Sequence, residues 1–262
     1  MLNALTVDFE YYRMDSGLNI KTQLDELLEL LERYQTQCTF FVMGELYEHY
    51  PETVAKVAEY GHEIGYHTHS HPLIISPNIL ADEINKSSRF ISRHGIRAFR
   101  APAIHITEDC FGTLQKNGFS IDSSSYGSFS RLRRISGITE VPVSEISFRD
   151  SRPASEPTTL PVDFKRSLLN GRIPIGSSLF VALLGNHYAR VIRWINAQAQ
   201  PAVFFLHSWQ LDPMIHYPSW ARSLVKGELS QIVYSRNLLN TIESLLKEFR
   251  FARISALPSV RS

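Results

Sequence analysis

The chain has 262 residues, 44% of them hydrophobic and 20% charged, with 27 Lys and Arg against 26 Asp and Glu for a net charge of +1. That length and apolar content suffice for one α/β barrel or for two small domains. So even a charge balance gives no global field toward nucleic acid or an anionic membrane surface, and neither is expected as a partner.

Residues 4–8 read as a short buried strand ending in Asp8-Phe9-Glu10. Residues 21–34 form an amphipathic helix, with Leu24, Leu27, Leu28 and Leu31 on one face. A buried strand, 38–43, follows. Pro51 opens the next helix and Gly61 closes it. Residues 63–66 are a strand leading into a histidine-rich run. A helix is expected over 79–94, closed by Gly95, then a strand over 98–101. Thr107-Glu108-Asp109 marks the start of a helix that runs to about Asn117. Residues 120–122 are the next strand.

Strand and helix thus alternate through Asp122, which implies parallel strands with crossover helices, in a barrel or a doubly wound sheet. Residues 127–175 are less regular, with one strand candidate at 138–143, and read as an insertion or lid-like excursion. Order returns with a helix at 187–197 and a very apolar strand, 202–207. Residues 212–227 read as a loop carrying Trp220. A helix at 238–249 and a strand at 251–255 complete the chain. No repeat or linker interrupts it, so a single domain spanning 1–262 is expected.

Residues 1–5 carry no basic region followed by an apolar core, so no signal peptide is expected. No apolar run approaches the roughly 18 residues of a spanning helix. The expectation is a soluble, cytoplasmic protein. Cys38 and Cys110 have neither CxxC spacing nor the look of a disulfide framework, and read as buried free thiols.

Four of the ten histidines fall within ten residues, at His62, His67, His69 and His71. Extended, the four residues from His67 to His71 would span about 13 Å, too far to share an ion. A helical turn or tight bend brings such a pair to about 5–6 Å, where both rings reach a metal at roughly 2.0–2.1 Å. The spacing therefore predicts a sharp bend after Tyr66, with His69 pointing elsewhere.

Further candidates lie at strand ends. Asp8 and Glu10, two apart, share one side of a strand; one could ligate a metal while the other acts as a base. Arg100 could pair with a carboxylate and hold it in its charged form. His207 ends the most apolar strand and is suited to donate a proton near neutral pH. Asp122 could orient or tune it. Each has a plainer alternative: solvated loop carboxylates, a surface arginine, a satisfied core histidine, a turn aspartate. Their coincidence at strand ends, where a parallel barrel places its active site, supports a mononuclear metal with two histidines and one carboxylate, in metal-assisted hydrolysis.

These segments resemble the polysaccharide deacetylase family, also called the NodB-homology domain or carbohydrate esterase family four. The resemblance rests on Thr6-Val7-Asp8-Phe9-Glu10, Thr39-Phe40-Phe41-Val42, Gly61-His62-Glu63-Ile64-Gly65, His67-Thr68-His69-Ser70-His71-Pro72, Arg100-Ala101-Pro102, Ile121-Asp122-Ser123-Ser124 and Phe205-Leu206-His207. The first motif and the run beginning Leu206-His207-Ser208-Trp209 look most like the branch found in bacterial exopolysaccharide clusters.

The resemblance implies a distorted (β/α)7 TIM-like barrel and a divalent metal, usually Zn2+, with Co2+, Mn2+ or Ni2+ as substitutes. It makes Asp8 the base, Glu10, His67 and His71 the metal ligands, Arg100 the partner of the base and His207 the acid. Asp122 matches the acid that tunes His207. Tyr66, Pro102 and Trp209 are expected to line the sugar site. There are departures. Many members carry adjacent aspartates where Phe9 separates Asp8 from Glu10. Tyr11 stands where the branch often has Asp, Gln210 where it often has Glu, and the segment 175–179 is poorer in glycine.

The activity so implied is hydrolysis of the N-acetyl group of an N-acetylglucosamine-like sugar in a glycan or glycolipid. The alternatives are a deacetylase or deformylase of a small or lipid-linked amino sugar, and a barrel that only binds glycans. A zinc protease would need a glutamate beside His67, which this run lacks.

Overall fold

The computed structural model describes residues 1–10, 20–129, 132–148, 152–153, 160–211 and 238–261. The expected loop at 212–227, with Trp220, and Tyr11 lie outside the described residues.

The first half alternates as its sequence predicts: β1 (Leu2–Phe9), α1 (Ile20–Arg33), β2 (Thr39–Val42), α2 (Gly44–His49), α3 (Pro51–Glu59), β3 (Glu63–Tyr66), α4 (Pro77–Lys86), α5 (Ser88–His94), β4 (Ala98–Phe99), α6 (Phe111–Lys116) and β5 (Ile121–Asp122). Leu24, Leu27, Leu28 and Leu31 of α1 are all buried, as the amphipathic pattern requires.

The helix expected over 79–94 is instead two, α4 and α5. It starts earlier, because Ser76 caps α4 through Ile79 N ahead of a first-turn Pro77. It breaks at Ser87, whose buried Oγ lies 3.1 Å from His69 Nδ1.

The irregular stretch holds short elements: β6 (Tyr126–Gly127), β7 (Arg133–Ile135), β8 (Ile138–Glu140), β9 (Val143–Ser144), β10 (Ile146–Ser147), β11 (Arg152–Pro153), α7 (Phe164–Leu169) and β12 (Arg172–Ile173). The strand candidate at 138–143 is thus split between β8 and β9. After it come α8 (Ser178–Leu184), α9 (Tyr188–Ala197), β13 (Val203–His207), α10 (Leu239–Glu248), β14 (Arg250–Ala252) and α11 (Pro258–Arg261).

The main sheet runs in the order β13-β1-β2-β3-β4-β5-β8-β7, with β14 also on β1. All its pairings are parallel except the β7–β8 hairpin. It curls, and the gap beyond β13 is bridged by backbone: Phe205 N donates to Gly176 O, and Gly176 N to Ser144 O. The bridge requires glycine, since a Cβ on Gly176 would lie 2.4 Å from Val203 O and 2.9 Å from Ser144 N. The (β/α)7-type barrel expected from the sequence is the fold observed.

Alternation along the strands sorts side chains into two layers. Ala4, Phe41, Ala98, Ile121 and Val203 meet inside the curled sheet. Leu5, Val7, Phe40, Ile64, Phe99 and Phe204 face outward, into the layer shared with α1 and the other helices. Cys38 and Cys110 are buried and free. Among the described residues, no helix is long and apolar enough to cross a membrane.

Candidate active site

The inward register carries the polar groups. Continuing from Ala4 through Thr6, it brings Asp8 and then Glu10 to the end of β1. On β13 it brings His207, the direct neighbour of Asp8 across the strand pair. On β3 it leads through Gly65 to His67, and on β4 to Arg100. Gly65 leaves space for Phe41, whose ring a Cβ there would approach to 2.5 Å. That ring packs 4.3 Å from the guanidinium carbon of Arg100, with Phe205 5.1 Å away.

Arg100 is wholly buried. Its Nη1 donates to Asp8 Oδ1 at 2.7 Å and to Thr6 Oγ1 at 2.8 Å. Its Nε and Nη2 donate to Ser123 O and Ser123 Oγ at 3.0 and 2.9 Å. A buried guanidinium needs both a counter-charge and partners for its donors, and this set supplies them.

The bend after Tyr66 exists. Thr68 and His71 both take positive φ, 62° each, outside the usual range for residues with a Cβ. The loop is braced from several sides. Thr68 Oγ1 accepts from His71 N at 3.1 Å. Gly44 N donates to Thr68 O, and Glu45 N to His69 O. Glu83, on α4, accepts from His69 N at 2.9 Å and from Ser70 N at 2.6 Å. His69 turns away toward Ser87, as the spacing predicts.

His67 Nδ1 lies 2.8 Å from the carbonyl of Arg100. A carbonyl only accepts, so Nδ1 carries the proton and Nε2 offers its lone pair. That Nε2 is 3.3 Å from Glu10 Oε2, and His71 Nε2 is 2.8 Å from the same oxygen. Glu10, His67 and His71 are the group among the described residues with metal-ligand atoms gathered within 4.8 Å. Burial works against charge on Glu10, but His207, His67 and His71 outweigh it and hold the carboxyl well below its usual range. Burial likewise opposes charge on His71, yet the Glu10 hydrogen bond, with the charges of Glu10 and Asp8, raises it. A carboxylate facing two imidazole nitrogens, one with its tautomer set from behind, is a donor set that fits a divalent cation of the zinc type.

His207 Nε2 is 3.6 Å from Glu10 Oε1. Its backbone N donates to Gln210 Oε1 at 2.8 Å, and its Nδ1 faces the same oxygen at 3.2 Å.

Three expectations need correction. Tyr66 is not at the sugar site. It neighbours His67 in sequence, so a period of two sends it to the opposite layer, where it is buried against Phe90, Phe99 and Phe119 and donates to Glu83 O at 2.5 Å. Asp122 does not meet His207. Its strand neighbours Ile121 and Ser123 face inward, so it faces outward. It accepts from Ser124 Oγ and Ser124 N at 2.8 and 3.0 Å. Burial, then the adjacent Glu140 carboxyl, push it well above the usual carboxylate range. Trp209 is no open platform. Its indole lies on the His207 ring, centroids 4.6 Å apart and 12° between planes, and its Nε1 donates to Glu10 Oε1 at 3.1 Å. Pro102 is buried in the turn following Arg100.

Glu83, Ser123 and Ser208 were not singled out by sequence reading. They act on partners far along the chain, and no local spacing marks such contacts. Gln210 stood out only as a departure from the family pattern.

Residues 3–121 match the model of the family described as polysaccharide deacetylase. Curated relatives agree. The peptidoglycan-N-acetylmuramic acid deacetylase PdaC of Bacillus subtilis is 35% identical over 81 residues, 30% of this chain and 17% of that protein. A peptidoglycan-N-acetylglucosamine deacetylase of Bacillus cereus is 33% identical over 101 residues, 37% of each chain. The chitooligosaccharide deacetylase of a Bradyrhizobium strain is 31% identical over 116 residues, 42% of this chain and 52% of that one. Over residues 3–121 the chain is similar to the polysaccharide deacetylase family.

The chain spans between 17% and 52% of those relatives' own lengths. Its fold recurs in solved structures. A candidate polysaccharide deacetylase from Mycobacterium smegmatis superimposes with a TM-score of 0.58 at 16% identity, over 99% of this chain and 91% of that one. Bacillus subtilis PdaC gives 0.51 at 16% identity, over the same shares. A carbohydrate esterase family four pseudoenzyme from Bacillus anthracis gives 0.54 at 12% identity, over 98% and 64%.

Proposed function

We propose that the domain hydrolyses the N-acetyl group of an N-acetylglucosamine-like amino sugar in a glycan, using a divalent cation, zinc by preference, held by Glu10, His67 and His71. One observation carries the reading. Glu10 Oε2 lies within 3.3 Å of two imidazole nitrogens, with the Asp8–Arg100 pair on the same inward register and His207 beside it. The curated relatives, named as deacetylases of peptidoglycan and chitooligosaccharide, supply the substrate class.

A cation on these ligands supplies Lewis-acid polarisation of an acyl carbonyl and lowers the pKa of water. The chain's own groups do the proton work. Arg100 occupies Asp8 Oδ1 and leaves Oδ2 to accept the proton of the attacking water as its oxygen bonds to the carbonyl carbon. Arg100 also supplies the counter-charge that a buried carboxylate needs. With Nδ1–H turned to Gln210, His207 presents Nε2, which protonates the amine nitrogen as the C–N bond breaks. Acetate and the free amino sugar leave.

Acetate release from N-acetylglucosamine oligomers tests this. Full activity with zinc, loss on chelation and loss in Asp8→Asn are expected. An Asp8→Asn chain that releases acetate at the wild-type rate would sink the scheme.

A further inference from the structure

Glu10 faces two ways. Oε2 is turned to His71 and His67, at 2.8 and 3.3 Å. Oε1 accepts from the indole Nε1 of Trp209 at 3.1 Å and lies 3.6 Å from His207 Nε2. The same indole is stacked on His207, 4.6 Å between centroids. Trp209 thus touches both the carboxylate assigned to the cation and the imidazole assigned to the leaving group.

The turn that carries it is anchored to β1. Ser208, its first residue, donates through Oγ to Glu10 O at 3.1 Å and accepts from Glu10 N at 3.3 Å. Backbone and side chain of Glu10 are therefore held by adjacent residues of one turn, Ser208–Leu211.

Glutamate has one more rotatable bond than aspartate and more rotamer freedom to lose on being ordered. Left alone, its carboxylate could offer either oxygen, or both, to a cation. A donor fixed on Oε1 removes that freedom. An indole N–H suits the task because it donates and cannot accept.

We propose that Trp209 is a positioning residue: its N–H holds Glu10 Oε1 so that Oε2 alone is presented to the cation, and its ring sets the place of His207. This rests on the reading of Glu10, His67 and His71 as a cation site. Hydrogen bonds behind metal ligands are commonly worth about 10–100-fold in metal affinity.

The test is zinc affinity, read by competition with a chromogenic chelator, for the full chain as wild type, Trp209→Phe, Glu10→Asp and the double variant. Phenylalanine keeps the stack and loses the donor. The expected result is about 10–100-fold weaker zinc binding in Trp209→Phe. No further loss is expected in the Glu10→Asp background, where the shorter side chain no longer reaches the indole. Equal affinity in Trp209→Phe and wild type overturns the proposal. So does an equal loss in both backgrounds, which shows that the loss does not pass through the contact with Glu10. If Trp209→Phe folds poorly, the assigned indole 1H–15N signal of Trp209 in the wild-type chain decides: it shifts on zinc addition, and a signal that stays put overturns the proposal. Failure of the underlying reading looks different, since wild type and His71→Ala would then take up zinc equally.

Discussion

Asp8 Oδ1 lies 2.7 Å from Arg100 Nη1, and the two side chains are 5% and 0% exposed. Removing Arg100 leaves a mostly buried carboxylate without its counter-charge, and removing Asp8 leaves a buried guanidinium without its own. Arg100→Ala therefore costs about 3–5 kcal/mol. Urea unfolding measures it, and a loss under 1 kcal/mol would show that the pair reorganises freely.

His207 is the direct cross-strand neighbour of Asp8, yet the two are assigned opposite proton transfers. His207→Asn should lower kcat for acetate release by about 10²–10⁴-fold while zinc affinity stays near wild type. A large loss of zinc binding in that variant would move His207 into the ligand set.

Tyr66 donates to the Glu83 carbonyl from within the helix layer. Tyr66→Phe should cost about 0.5–1.5 kcal/mol of stability and leave KM for the sugar unchanged. A raised KM with unchanged stability would return Tyr66 to the substrate site.

His62 is buried, and burial lowers its pKa from 6.5 to about 4. The unfolded chain then binds a proton there that the folded chain refuses. Its contribution is fully present above pH 6.5 and is lost as pH falls toward 4. At about 1.4 kcal/mol per unit, the loss reaches about 3 kcal/mol. Stability measured across that window should fall less steeply in His62→Gln; parallel curves for the two chains refute the assignment.

Gly176 sits where β13 and β9 are bridged. Gly176→Ala forces a Cβ against backbone on both sides, and a strain of about 1–3 kcal/mol is expected. Chemical denaturation reads it. An alanine variant as stable as wild type would mean that the bridge gives way cheaply.

Much of this was open to sequence reading because it is periodic. The leucines of α1, the β-branched and aromatic strands and the alternation through Asp122 all follow from residue spacing, and so does the bend from His67 to His71. Asp8 and Glu10 share a side of β1 because two is the period of a strand. The errors came from the same rule left unapplied. Tyr66 is odd to His67, and Asp122 is odd to Ser123, so each faces the wrong layer for the role expected of it. The break at Ser87 was missed, and the contact its buried hydroxyl makes, with His69, lies outside the helix.

By itself the sequence determined the strand–helix alternation through Asp122, the layer each strand residue faces and the candidate set Asp8, Glu10, His67, His71, Arg100 and His207. These depend on short-range sterics and on burial of an apolar face, which spacing encodes. Tertiary structure alone decided which oxygen of Glu10 faces the histidines, that Trp209 holds the other, that Glu83 braces the loop and that Gln210 sits behind His207. Such contacts join residues as many as 199 positions apart. Their geometry depends on how strands register and curl, and no local pattern carries that information.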